Sequence, residues 1–527
     1  MISRFYTFEV SLSANNSHLA AQFRKVVTTT SGTLSSDQWW FTEVTLTGNL
    51  NIPSGVTLTI TSDATVDLTP NGNQFYIKST GGTIINQGTI NGLAATLSDG
   101  SLFSSLSAAL NSASSGQTVQ TIGSQNVNNS CTVPLGVTMS ASAGANLTFG
   151  SDVKLSINGT LSSNGAIFQG SGTAGSWNSI SFYSGSSGSI QGCTIKDAQC
   201  GIYATTGASI NCSDNTITNN SLYGLSIINN SSVSISGCTI SNNGTGINLS
   251  SSAAAISGNS IYNNSNYGIH AENVNANYPW ENNTLEGNSG YAIFLNNTSP
   301  IFYHNMISDN GHGLVISSAS PYFGLPSVRG YNAITCASTP LFRAENSSDV
   351  FMGYYEGGGG YNSVFGSELP DIEALYGSLI TADSNYWGGS NAASYADGTS
   401  SILARDPLLS DPNSGSSCGS PKIAVLTKSG STASTQDNDI SNTYWQAVSK
   451  GNKNDYKSAK DLLKTIINSK FDKKYSPLSL LKYYNFSIQE HKALDPGSKY
   501  SVQTKDYNVL FKNYTTDLLT NYRYSKA

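Results

Sequence analysis

The chain has 527 residues, only 11% of them charged, with 51 glycines and a formal charge of −6. Gly, Ser, Thr and Asn dominate, which marks a turn- and strand-rich surface, and a regular apolar period argues against disorder. No apolar run is long enough to span a membrane as a helix, the seven cysteines match no zinc spacing, and no nucleotide or haem motif occurs.

The charge is split. Residues 1–420 hold 9 Lys+Arg against 23 Asp+Glu, whereas residues 421–527 hold 17 against 9. The basic end carries interspersed acids and no arginine cluster, so it reads as a solvated helical surface and not as a nucleic-acid site.

Residues 1–38 are irregular and are expected to form a lead-in or cap. Met1 to Ala20 lacks the basic and apolar regions of a signal peptide, so either the true beginning is missing or export is not encoded here. Trp39-Trp40-Phe41 opens alternating segments, among them Val44 and Leu46, Leu50 and Ile52, and Val56, Leu58 and Ile60. Pro53-Ser-Gly-Val-Thr57 recurs as Pro134-Leu-Gly-Val-Thr138, a hint of internal duplication. Within this less regular stretch, 39–180, Leu102, Leu106 and Leu110 fall at i, i+4 and i+8, which predicts a short helix near 101–115. Such a helix would cover an open stack of strands.

From 181 to 390 the chain repeats. Cys193-Thr-Ile195, Asn215-Thr-Ile217, Cys238-Thr-Ile240, Asn259-Ser-Ile261, Asn283-Thr-Leu285 and Asn305-Met-Ile307 recur every 21 to 24 residues. A second phrase returns in step: Gly201-Ile202, Gly224-Leu225, Gly246-Ile247, Gly268-Ile269, Ala292-Ile293 and Gly313-Leu314. Several short strands per repeat at a fixed period predict a solenoid. Alternation along each strand places Ile202, Leu225, Ile247 and their copies inside. Identical positions of successive coils then stack about 4.8 Å apart, so asparagines at the third-last position can hydrogen-bond their own copies. That column continues through Asn332, Asn362 and Asn385, with a loop insertion between the first two. Cys193 and Cys238 take ladder positions with the coil of Asn215 between them, too far apart for a disulfide. Cys200 and Cys212 are closer in sequence, and the cysteines are expected to be buried and inert.

This pattern resembles the right-handed parallel β-helix of pectate lyases and many bacterial surface proteins. The resemblance implies an all-β solenoid over 39–410 with coils of about 22 residues, and a secreted or bacterial cell-surface location. Asn385-Tyr-Trp-Gly-Gly389 looks like the closing coil of secreted bacterial β-helix proteins. Residues 411–440 read as a linker. In 441–527, Tyr456, Ala459, Leu463, Ile466 and Ile467 trace a helix face, and Ser476-Pro477 opens a second helix through Leu478, Leu481 and Tyr484. These resemble a small helical module appended to some β-helix proteins; it is expected to be incomplete.

Asp309-Asn-Gly-His312-Gly313 invites comparison with polygalacturonase-type hydrolases, but both residues fall in repeat columns. Asp309 aligns with Asp197, Asn219, Asn242 and Asn263, all turn formers, and His312 with Tyr223, Thr245, Tyr267 and Tyr291. Lyases resembling this fold bind Ca²⁺ through several oxygen ligands beside a basic residue. The catalytic candidates are therefore Arg343, Glu356, Asp371 and Asp383, in the irregular stretch 321–383. No metal site and no cofactor are expected otherwise, Ca²⁺ being the one ion such a lyase would use. The outward column Tyr203, Ser226, Asn248, His270, Phe294 and Val315 offers aromatics beside amides, which suits a sugar. The expectation is a monomeric, non-catalytic protein that binds a polysaccharide or cell-surface glycan, or mediates adhesion, through Tyr203, His270 and Phe294. The alternatives are a polysaccharide lyase or glycoside hydrolase using the 321–383 loops, and a structural stalk.

Overall fold

The computed structural model describes residues 28–274, 279–325, 328–337, 340–353, 360–366, 371–388, 394–404, 407–408 and 410–413, with residue 447. It also gives the backbone of strands Thr7–Ser11 and Gln22–Val26 and of helix Tyr456–Asn468. Two units divide the chain, Met1–Pro421 and Lys422–Ala527.

The first unit is a parallel β-solenoid whose coils feed three long sheets. Among the described residues, sheet 1 has 14 strands from Gly32–Thr33 to Phe302–Tyr303, and sheet 2 has 11 from Ser124–Val127 to Ser363–Phe365. Sheet 3 has 12, from Cys131–Val133 to Ser394–Ala396. Register follows the repeat: Ile202, Leu225, Ile247, Ile269, Ile293 and Leu314 pair each with the next in sheet 3. All six are buried. Like residues stack because each coil advances by one strand spacing and keeps its parity.

The solenoid begins at Gly32–Thr33, which pairs in parallel with Leu50–Asn51, and Leu34 and Trp40 are already core. The first coils are set off from the rest by an antiparallel insertion. Leu102–Phe103 runs antiparallel to Tyr76–Ile77 and to Ala95–Thr96, and Ala95–Leu97 antiparallel to Val119–Thr121. The core is divided at this point. Leu102 belongs to the cluster of Leu34 to Ile77, whereas Leu106 and Leu110 belong to the cluster that runs on to Trp387. The helix occupies Leu106–Ser112 and not the wider stretch from 101 to 115, because Leu102 and Phe103 are held as a strand. Ser105 caps it by accepting from Ala108 N.

From Asn259 to Asn385 the asparagine column forms a continuous ladder. Asn283 Oδ1 accepts from Asn259 N at 3.1 Å and from Asn259 Nδ2 at 3.0 Å; its own Nδ2 donates to Ile256 O at 3.1 Å and to Asn305 Oδ1 at 3.0 Å. The chain runs on through Asn332, Asn362 and Asn385. A second ladder, which the sequence reading missed, links Asn220, Asn243, Asn264, Asn288 and Asn310 at 2.8–3.0 Å. Its members directly follow Asn219, Asn242, Asn263, Gly287 and Asp309, whose φ values are all between 54° and 63°. The Asn-Asn doublets at 219, 242 and 263 were the available signal: the first Asn turns the chain, and the second faces inward.

Cys193 and Cys238 sit in the first ladder as expected, buried and free, as are Cys131, Cys200 and Cys212. Burial pushes the Cys131, Cys200 and Cys238 thiols up to about 12. Cys336 differs, since it is held in a disulfide. At Cys238 the ladder is weak: Asn215 Nδ2 reaches the sulfur only at 3.9 Å. Cys238→Asn restores an oxygen acceptor there, and stability measured by urea unfolding should rise by about 1 kcal/mol. An unchanged or lower midpoint would show that the coil cannot take the larger side chain.

In the second unit, helix Tyr456–Asn468 buries Ala459 and Leu463. The expected second helix at 476–484, and residues 414–440 of the expected linker, lie outside the described residues. Among the described residues no helix is long and apolar enough to cross a membrane.

Candidate functional site

The outward face of sheet 3 carries three columns, and one of them stands where strict alternation would turn the side chain inward. In strand Tyr267–Glu272 both Gly268 and Ile269 are buried, while Tyr267, His270 and Glu272 face out. A Cβ at position 268 would come within 2.6 Å of Ala292 O, so the glycine lets the backbone tuck in and reverses the parity. Tyr267 therefore shares a face with His270, three residues on.

Five rings on three adjacent coils meet on this face. Tyr267 stacks on Tyr291 at 5.7 Å, Tyr291 on His312 at 4.7 Å, and His270 on Phe294 at 5.3 Å with ring planes 6° apart. Tyr267 and Phe294 close the strip edge to face at 6.0 Å. All five are half-buried. His270 Nδ1 lies 3.0 Å from Asn248 Oδ1, and Asn248 Nδ2 donates to Ser226 Oγ at 3.1 Å. Burial lowers the His270 pKa, with the Glu272 carboxylate acting in the opposite sense. Asn296 Nδ2 donates to Glu272 Oε1 at 3.2 Å along the third column.

Of the three ligand-binding residues read from the sequence, the fold brings together His270 and Phe294. Tyr203 lies in the same column but is separated from them by Ser226 and Asn248. Tyr267, Tyr291 and His312 were read as a plain repeat column, and the structure adds them to the strip. Asp309 has a φ of 54°, like its column mates Asp197, Asn219, Asn242 and Asn263, which is a turn-forming role.

Of the described catalytic candidates, two are closed off from solvent and one is held in an ion pair. Asp371 and Asp383 are buried, at 5% and 0% exposure. Arg343 Nε pairs with Glu373 Oε2 at 2.8 Å. Register puts Arg343 beside Val315 and Glu373 beside Arg343, so this ion pair extends the Tyr203–Phe294 column. Glu356 lies outside the described residues. No group of three His, Cys, Asp or Glu among the described residues is placed to hold a metal ion.

Residues 178–325 match the family described as the right-handed beta helix region. No curated protein matches the chain. Among solved structures, the periplasmic alginate epimerase AlgG is similar at 11% identity over 56% of this chain and 85% of its own, with a TM-score of 0.42. The A-module of mannuronan C-5 epimerase AlgE6 from Azotobacter vinelandii is similar at 12% identity over 69% and 86%, with a TM-score of 0.29. With its columns in register, its inward asparagine ladders and the family match over its regular coils, this chain is a right-handed parallel β-helix repeat protein.

Proposed function

We propose that the protein binds a glycan on the outward face of sheet 3, with the strip of Tyr267, His270, Tyr291, Phe294 and His312 as the platform. The single observation that carries this reading is that strip: five half-exposed rings in mutual contact, on a solenoid whose other outward positions are mostly Ser, Thr and Asn. A sugar presents an apolar C–H surface and a rim of hydroxyls. Rings supply the apolar partner, while the Tyr hydroxyls, Asn248, Asn296 and Glu272 supply donors and acceptors to the rim. Because the rings already stack on one another, the platform is rigid before the ligand arrives, which lowers the ordering cost of binding. A location outside the cytoplasm is part of this reading, supported by the disulfide at Cys336.

The test is a panel of plant, algal and microbial polysaccharides offered to the wild type and to Tyr267→Ser/Tyr291→Ser. Wild-type binding to at least one glycan, reduced at least tenfold in the double variant with its circular dichroism unchanged, is the expected result. Equal binding by both proteins would overturn the assignment of the face.

A second reading has one observation in its favour. The Arg343–Glu373 pair continues the same column, so a long polysaccharide lying along it would reach a guanidinium and a carboxylate. Reducing-end release or unsaturated products in the same wells, lost in Glu373→Gln, would turn the binder into a hydrolase or lyase.

A further inference from the structure

A different column, at the corner between sheets 1 and 2, carries a second set of aromatics that its backbone does not favour. The residue immediately before each member of the first ladder adopts a left-handed conformation: Gly192, Asp214, Gly237, Gly258, Asn282, His304, Tyr331, Tyr361 and Ser384, with φ between 47° and 67°. Gly, Asn and Asp are the usual occupants of such a position, His is tolerated there, and a bulky tyrosine is an outlier. Three consecutive coils nonetheless carry His304, Tyr331 and Tyr361. Strain kept at successive positions where cheaper residues serve the neighbouring coils points to a role for the side chains.

The rings are organised. His304 and Tyr331 stack at 5.4 Å with planes 13° apart, and Tyr331 meets Tyr361 at 5.7 Å. Arg329 is delivered to them by an antiparallel hairpin, Gly324–Leu325 with Val328–Arg329, that interrupts the regular coil. Its guanidinium carbon lies 3.8 Å above the centre of the Tyr361 ring, and its Nη1 donates to the Tyr331 hydroxyl at 3.3 Å. Arg329 is exposed, and no carboxylate among the described residues forms an ion pair with it. A guanidinium has five N–H donors in a planar fork. Here one edge is anchored on tyrosine and one face lies on a ring, which presets the fork for an incoming anion.

We propose that this corner binds an anionic sugar, its carboxylate or sulfate ester held by Arg329 and its ring lying against His304 and Tyr331. Bidentate pairing of arginine with a planar or tetrahedral oxyanion gives the charge selectivity, and the aromatic pair gives contact to the ring. The surroundings make the site selective. The first 420 residues carry 9 cationic side chains against 23 acidic ones, so a polyanion is repelled elsewhere on the solenoid. None of the four residues belongs to the strip on sheet 3, so this site stands or falls separately from that one.

The experiment is isothermal titration of the full chain with three probes of matched length: an oligogalacturonate, a sulfated dextran oligomer and unsulfated dextran. One or both anionic probes should bind at least tenfold more tightly than dextran, and which one binds identifies the acid group. Arg329→Gln, a change at an exposed side chain, should lose at least tenfold of that affinity, while Tyr267→Ser/Tyr291→Ser should keep it. Tyr361→Asn should also lose affinity yet melt at or above the wild-type temperature, because Asn suits the left-handed position. Equal affinity for dextran, no binding of either anionic probe, or undiminished binding by Arg329→Gln would each overturn the proposal.

Discussion

Asn283→Ala is expected to destabilise the solenoid by about 4 kcal/mol. The side chain is buried at 2% exposure and sits mid-ladder. Its loss removes a partner from four groups: Asn259 N–H, Asn259 Nδ2 as donor, Ile256 O as acceptor of the 283 amide, and Asn305 Oδ1 as its other acceptor. Each unsatisfied buried polar group costs about 1–3 kcal/mol, and the buried Ile261 and Leu285 on adjoining positions offer no polar replacement. Urea unfolding should show the lower midpoint. Hydrogen exchange should show faster opening of the peptide around Asn259 than of the coils near Ile195, since coils couple chiefly to their neighbours. A loss below about 1 kcal/mol would mean that the coil relaxes and the remaining amides find new partners.

Gly313→Ala should cost about 3 kcal/mol, by steric conflict and not by lost bonding. The position belongs to the column of Gly201, Gly224, Gly246, Gly268 and Ala292. Native Ala292 shows that one coil of this column admits a methyl group. At Gly313 the neighbour in the next coil is Leu341, whose carbonyl lies against the glycine. An added Cβ would overlap Leu341 O and come within 2.6 Å of Leu341 C. Backbone, unlike a flexible side chain, cannot swing away. The converse change, Ala292→Gly, should be mild, close to the ordinary penalty of about 1 kcal/mol for a glycine in regular structure. Thermal unfolding of the two variants side by side checks the pair; similar shifts would place the conflict elsewhere.

The repeat made the fold readable because a solenoid writes its tertiary neighbours into the chain at fixed intervals. Ile202 pairs with Leu225 and Leu225 with Ile247, and each step is 22 or 23 residues, so a long-range neighbour becomes a visible period. The Asn283 ladder was legible for the same reason. Where the period fails, the reading failed with it. Leu102, Leu106 and Leu110 have helical spacing, yet Leu102 belongs to a different core, because its strand is claimed by antiparallel pairing with Ile77 and Thr96.

The functional residues divide along the same line. His270 and Phe294 could be placed on one outward column from alternation alone. Tyr267 and Tyr291 could not, because three residues separate Tyr267 from His270 and strict alternation sends them to opposite faces. The buried Gly268–Ile269 step reverses that parity, and only the backbone shows it. Arg329 is further still from legibility, since its place above Tyr361 depends on a hairpin outside the repeat. By itself, then, the sequence determined the β-helix, its coil length, its inward columns and one asparagine ladder, all consequences of burial recurring at a constant interval. Which outward residues share a surface was decided by the tertiary structure, because it rests on local departures from that interval: a tucked glycine, an inserted hairpin and left-handed corners that turn side chains toward neighbours the period does not predict.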